Sequence, residues 1–186
     1  MKYLILGGSK SGKSMYGQNL ARDIYKKARN IYKEKGKLYY IATMKPFDEE
    51  DKVRIENHIK DRVGYGFSTI ECHKNIISIL DSVNEDDIVL IDSITSLLTN
   101  EMFNGKEFNK NVYSKIANEI LEIGKKAKDL IVVSDYIFSN SFLYDEYTNT
   151  FLRELSYITR ILAKNMDYVL ECSYGNVYYH KEKNKR

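Results

Sequence analysis

The chain has 186 residues, 43% of them apolar and 30% charged, with one proline. That length supports a core without disulfide or metal staples, and the composition excludes disordered and fibrous classes. Its 29 basic and 26 acidic residues are interspersed, giving a formal net charge of +3 and no concentrated basic stripe for nucleic acid.

In chain order, short runs rich in Ile, Val, Leu and Tyr alternate with longer amphipathic stretches. This is the pattern of an α/β protein with a mainly parallel sheet flanked by helices. Strands are predicted at KYLIL (2–6), KLYYIAT (37–43), FSTIEC (67–72), DIVLID (87–92), DLIVVS (129–134) and DYVLEC (167–172), the third being the weakest signal. NVYYH (176–180) follows the turn signal SYG and reads as an antiparallel edge strand completing a C-terminal hairpin. Helical periodicity covers 13 to about 33, 48–63, 74–83, 108–127 and 147–165. The period fades around SLLTNEMFNGKEF, where a short helix and loop are predicted over 96–107. With no repeat, low-complexity tract or Pro/Ser-rich linker, one domain over 1–186 is expected.

KYLIL runs directly into GGSKSGKS, which satisfies G-x-x-x-x-G-K-[ST] from Gly7 to Ser14, and a helical pattern follows at once. Strand, loop and helix in that order are the context of a P-loop of the NTPase type. The backbone of Gly7, Gly8, Ser9, Lys10, Ser11 and Gly12, with the helix N-terminus, then presents N–H groups to phosphate oxygens. Lys13 brings a cation to the β- and γ-phosphates, and the Ser14 hydroxyl reaches Mg²⁺. The expected ligand is a nucleoside triphosphate, GTP or ATP, with Mg²⁺. Asp92, closing the apolar run DIVLID, is the expected acidic partner for the metal or its water.

The stretch RIENHIKDR (54–62) raises a second chemistry. On a helix, Arg54 and Arg62 flank His58 at four-residue spacing, so all three share one face. Cations there attract phosphate beside an imidazole nitrogen that is able to act as a nucleophile. From the spacing alone, a solvated surface histidine in a charged helix is the favoured reading.

Taken together, GGSKSGKS, YIAT (40–43), DEEDKVRIENHIKDR (48–62), FSTIEC and LIDSITSLLTN (90–100) resemble the bifunctional adenosylcobinamide kinase/adenosylcobinamide-phosphate guanylyltransferase family of cobalamin biosynthesis. The likeness is collinear from residue 1 to about 103, with a looser match of strand order beyond. It implies that the protein phosphorylates the aminopropanol arm of adenosylcobinamide. It then carries GMP from GTP on a histidine, matched here by His58, to give adenosylcobinamide-GDP. It also implies that Ala42 and Thr43 line the nucleotide, that Lys60 and Arg62 contact its phosphates, and that Glu71 and Asp92 complete the site. A corrinoid substrate and a homo-oligomer, trimeric in the family, follow from the same likeness. The chain departs from the family in a longer Met15–Lys37 segment, in SDYIFSNSF (134–142), which lacks glycines, and in FLRELSYITR, where a later motif is blurred.

Two readings compete: a P-loop small-molecule kinase without a covalent intermediate, and a RecA-like nucleotide-dependent binding or regulatory protein. Cys72 and Cys172 form no CxxC pair, which suits a reducing compartment, and no set of residues has zinc-ligand spacing. No apolar run approaches the roughly 20 residues needed to span a bilayer, and the opening MKYLILGG is too short for a signal peptide, so a cytoplasmic location is expected. His73, His180 and the basic tail HKEKNKR are read as solvated.

Overall fold

β-Branched and aromatic runs between glycine and polar breaks form the strands, and the intervening amphipathic stretches form the helices. A computed structural model describes residues 1–32, 35–105, 107–137 and 144–183. The elements are β1 (Lys2–Gly7), α1 (Lys13–Tyr32), β2 (Leu38–Ala42), α2 (Glu49–Asp61), β3 (Phe67–Glu71), a 3-10 turn (Ile76–Ser82), β4 (Ile88–Asp92) and α3 (Ile94–Met102). There follow the two-residue strands β5 (Phe103–Asn104) and β6 (Glu107–Phe108), α4 (Tyr113–Lys126), β7 (Asp129–Asp135), α5 (Glu146–Asn165), β8 (Tyr168–Ser173) and β9 (Asn176–Lys181). Among the described residues the main sheet has seven strands in the order β3-β2-β4-β7-β1-β8-β9. All neighbours in it are parallel except β8 and β9, which form the expected antiparallel hairpin at the edge.

Central strands are apolar at successive positions because both faces are covered. In β4, Ile88 and Leu90 pack towards α1, whereas Val89 and Ile91 join the larger cluster formed with the 3-10 turn, α3, α4 and α5. Leu90 and Ile91 are both fully buried, each contributing about 1.5–3 kcal/mol of transfer free energy. α1 approaches the sheet closely at Gly17, where an added Cβ would lie 3.1 Å from Val133 Cγ2 and 3.4 Å from Leu90 Cδ1. That proximity sets the N-terminus of α1 over the end of β1.

Capping defines several helix starts. Asp48 accepts from the Asp51 N–H at 2.8 Å and starts α2, while Asp145 accepts from Thr148 at 2.8 Å and starts α5. α4 has no side-chain cap of its own. Instead Glu154 of α5, 1% exposed, accepts from the N–H groups of Asn111 at 3.1 Å and Tyr113 at 2.9 Å.

Three predicted elements differ from the structure. The 74–83 helix is a 3-10 turn that buries Ile76 and Ile79; residues three apart eclipse one another in that geometry, so two isoleucines suffice to seat it. The short helix of 96–107 begins earlier, at Ile94, because Ser93 is its N-cap. The loop after it is a small antiparallel hairpin, which, with Asn111 at φ 64°, delays α4 from 108 to Tyr113. Residues 33 and 106, the 138–142 part of SDYIFSNSF and the tail beyond 183 lie outside the described residues. No described helix is long and apolar enough to cross a membrane.

Candidate active site

Parallel strands present their carboxyl ends along one rim, the usual location of ligand crevices in such sheets. In register, Glu71, Ala42 and Asp92 stand side by side across β3, β2 and β4, and Gly7 stands beside both Asp135 and Cys172. Along this rim lies a cleft of about 1120 Å³, above the usual size range of small-molecule sites. Its walls include Lys13, Ser14, Ala42, His58, Arg62, Glu71, His73, Asp92 and Asp135.

The loop from Gly7 to Gly12 wraps the end of β1, with the Ser11 N–H on the Gly8 carbonyl at 3.3 Å and the Tyr16 N–H on Gly12 at 2.9 Å. Gly12 sits at φ 84°, in the left-handed region that glycine enters freely. A Cβ on Gly7 would lie 2.8 Å from the Cys172 carbonyl oxygen and overlap Ser11 Oγ. Lys13 Nζ is 2.6 Å from Asp135 Oδ1 and donates to the Gly8 carbonyl at 3.1 Å.

Asp92 is the hub of the floor. Its Oδ1 accepts from Ser14 Oγ at 3.2 Å and its Oδ2 from the Tyr40 hydroxyl at 2.9 Å. Burial pushes its carboxyl above the ordinary value; the Tyr40 bond, the His58 charge, the Ser14 bond and Lys13 oppose that rise. Burial and the Asp92 charge also push the Tyr40 phenol up, which keeps it a donor. Ser14 and Asp92 supply a hydroxyl and a carboxylate side by side near the Gly7–Gly12 loop. Such a hard-oxygen pair fits Mg²⁺ held jointly with phosphate oxygens and water. Among the described residues no group of three or more His, Cys, Asp or Glu forms a protein-only metal cage.

α2 contributes no described residue to either core cluster, and its inward side chains line the cleft instead. His58 is half-buried there. Arg62 donates to the His58 carbonyl at 2.8 Å and lays its guanidinium 4.1 Å from the Tyr40 ring centroid. The Arg54 side chain lies outside the described residues.

Two residues placed at the nucleotide by likeness are not on the cleft wall. Thr43 is fully buried; its hydroxyl donates to the Ser93 carbonyl and accepts the Ser93 N–H, both at 2.7 Å. Lys60 is exposed on α2 and does not line the cleft. His73, read as solvated, lines the cleft instead because the turn after β3 folds over Thr43. Its Nδ1 is 3.3 Å from the Thr43 carbonyl oxygen and its Nε2 is 3.9 Å from Glu71 Oε2. A carbonyl only accepts, so that contact assigns the hydrogen to Nδ1. His180, in contrast, is exposed and meets Glu171 at 2.7 Å on the edge hairpin. Cys72 and Cys172 are both buried and unbridged, and burial pushes the Cys172 thiol up.

A family model described as cobinamide kinase / cobinamide phosphate guanyltransferase matches residues 3–178. The chain belongs to this family. Two curated relatives are named bifunctional adenosylcobalamin biosynthesis protein CobU. The one from Escherichia coli (strain K12) is 29% identical and the one from Salmonella typhimurium (strain LT2) 30% identical, each over 104 residues. The match covers 55% of this chain, and the chain spans about half, 51%, of each relative.

Within this member of the family, sequence reasoning missed Tyr40, His73 and Asp135. Asp135 carried the same signal as Asp92, an acid directly closing an apolar strand. Tyr40 carried none, because a strand interior conceals which hydroxyl reaches a neighbouring strand.

Proposed function

We propose that this chain is an adenosylcobinamide kinase and adenosylcobinamide-phosphate guanylyltransferase, a single-domain enzyme using GTP or ATP with Mg²⁺. The observation that carries the reading is that His58 lines the same cleft as Lys13, Ser14 and Asp92. A pure kinase needs only the last three.

The backbone of Gly7 to Gly12 and the N-terminus of α1 receive the β- and γ-phosphates. Lys13, beside Asp135, also reaches phosphate oxygens and offsets the negative charge on the transferring group. Ser14 and Asp92 would hold Mg²⁺, which would supply charge neutralisation at the phosphate oxygens. In the first half-reaction the acceptor's hydroxyl oxygen bonds to the γ-phosphorus and the nucleoside diphosphate leaves. In the second, an imidazole nitrogen of His58 bonds to the α-phosphorus of GTP and pyrophosphate leaves. The resulting phosphoramidate passes GMP to the phosphate of the acceptor and regenerates the imidazole. Arg62, pinned between Tyr40 and the His58 carbonyl, supports the end of α2 that presents His58 and offers a cation to the phosphates.

Intact-protein mass spectrometry after incubation with Mg²⁺ and GTP tests this. The parent protein is expected to gain one GMP that brief acid treatment removes, and His58→Ala to gain none while still binding GTP. An adduct that persists in His58→Ala assigns another nucleophile. Acceptor phosphorylation without any adduct on the parent protein makes it a kinase alone.

A further inference from the structure

Asp135 closes β7, the strand between β1 and β4, and its Oδ1 lies 2.6 Å from Lys13 Nζ. The Asp135 N–H donates to Thr95 Oγ1 at 3.1 Å, so α3 steadies the backbone that presents the carboxylate. The side chain is 25% exposed and lines the cleft. Among the described residues, it is the carboxylate in ion-pair contact with Lys13.

A triphosphate on Lys13 brings its terminal phosphate next to this carboxylate. Two anions sharing one cation repel, and a proton donor placed between them relieves that repulsion. An acceptor alcohol is such a donor: its O–H points at the carboxylate while its oxygen faces the γ-phosphorus. His73 and Glu71, the other pair in the cleft without a kinase role, belong to the β3 end of the rim. β2, β4 and β7 separate that end from β1, a distance of about four strand spacings or 19 Å.

Resting on the kinase half of the proposed function, we propose that Asp135 is the general base of phosphoryl transfer, accepting the proton of the acceptor's hydroxyl. The O–H bond breaks, with its proton passing to an Asp135 oxygen. The alcohol oxygen bonds to the γ-phosphorus, and the bond from that phosphorus to the β–γ bridging oxygen breaks. The nucleoside diphosphate departs and Asp135 returns the proton to solvent. Guanylyl transfer to an already phosphorylated acceptor deprotonates no hydroxyl, so the two half-reactions differ in their need for this group.

The test uses the full chain and its Asp135→Asn, Asp135→Ser and Asp135→Glu variants, with Mg²⁺, GTP, and either adenosylcobinamide or its phosphate as acceptor. Phosphorylation of the hydroxyl is expected to slow by about 100-fold or more in Asp135→Asn and Asp135→Ser. Guanylyl transfer to the phosphorylated acceptor is expected to fall by less than about tenfold, since loss of a general base touches only the first step. Asp135→Glu is expected to recover part of the phosphorylation. Equal losses in both half-reactions, or weaker GTP binding that accounts for the loss, would make Asp135 an orienting partner of Lys13 and overturn the proposal. Hydroxyl phosphorylation at the parent rate in a folded Asp135→Asn or Asp135→Ser overturns it while the kinase reading stands. A parent protein that phosphorylates no hydroxyl overturns the kinase reading, and the proposal with it.

Discussion

Replacing Tyr40 by Phe removes one oxygen from beneath the cleft and leaves the ring. The ring stays in place under Arg62, whose guanidinium is 4.1 Å from its centroid, so the cation–π contact survives. What disappears is the 2.9 Å hydrogen bond to Asp92 Oδ2. A bond to a charged group contributes about 1.5–3 kcal/mol, and Tyr40 is only 4% exposed, which leaves little water to replace it. The pH dependence follows from Asp92. Burial holds its folded-state carboxyl above the ordinary value of 3.8, with the Tyr40 bond the largest opposing contribution. Folded protein therefore binds the Asp92 proton more tightly than unfolded chain. Stability falls as pH rises from that ordinary value through the folded one. Loss of the hydroxyl deepens that fall. Urea denaturation should show Tyr40→Phe close to the parent in acid, within about 1 kcal/mol. Above both values it should be less stable by about 1.5–3 kcal/mol. Magnesium-dependent GTP affinity should fall by about tenfold or more, as 1.4 kcal/mol implies. An equal stability loss at both pH values would refute the reasoning, because the hydroxyl would then serve packing and not the carboxylate.

Glu154→Ala should lower the stability of the fold by about 1–3 kcal/mol, because the N–H groups of Asn111 and Tyr113 lose their shared acceptor at the start of α4; chemical denaturation measures this, and hydrogen exchange should rise first at those amides. Gly36→Ala should cost a further about 1–3 kcal/mol, seen as a lower thermal midpoint, since the new Cβ would overlap the Asp86 backbone carbonyl and no side-chain rotation relieves that contact.

Some of this protein was determined locally. The strand–glycine turn–helix unit of β1, Gly7–Gly12 and α1 was readable because its parts are contiguous, and the backbone conformations of such a turn are set by neighbours in sequence. The α/β alternation and the edge hairpin were readable for the same reason, from period and turn chemistry over short windows. Asp92 was readable as the acid that closes an apolar run. His58 drew its expected role from likeness to a family, since its spacing by itself favours a solvated residue on a charged helix.

Strand order belongs to the tertiary structure. β7 inserts between β4 and β1, and only that insertion brings Asp135 to Lys13. Parallel pairing of β2 with β4 sends the Tyr40 hydroxyl to Asp92, and the turn after β3 swings His73 onto Thr43 and into the cleft. Thr43 and Ala42 are adjacent in sequence, yet one is sealed against Ser93 and the other faces the cleft. Successive side chains at a strand end point to opposite sides, and the element packed on each side decides which is buried. Local sequence thus determined which groups are available here, while long-range packing, which couples residues far apart in the chain, decided which of them meet.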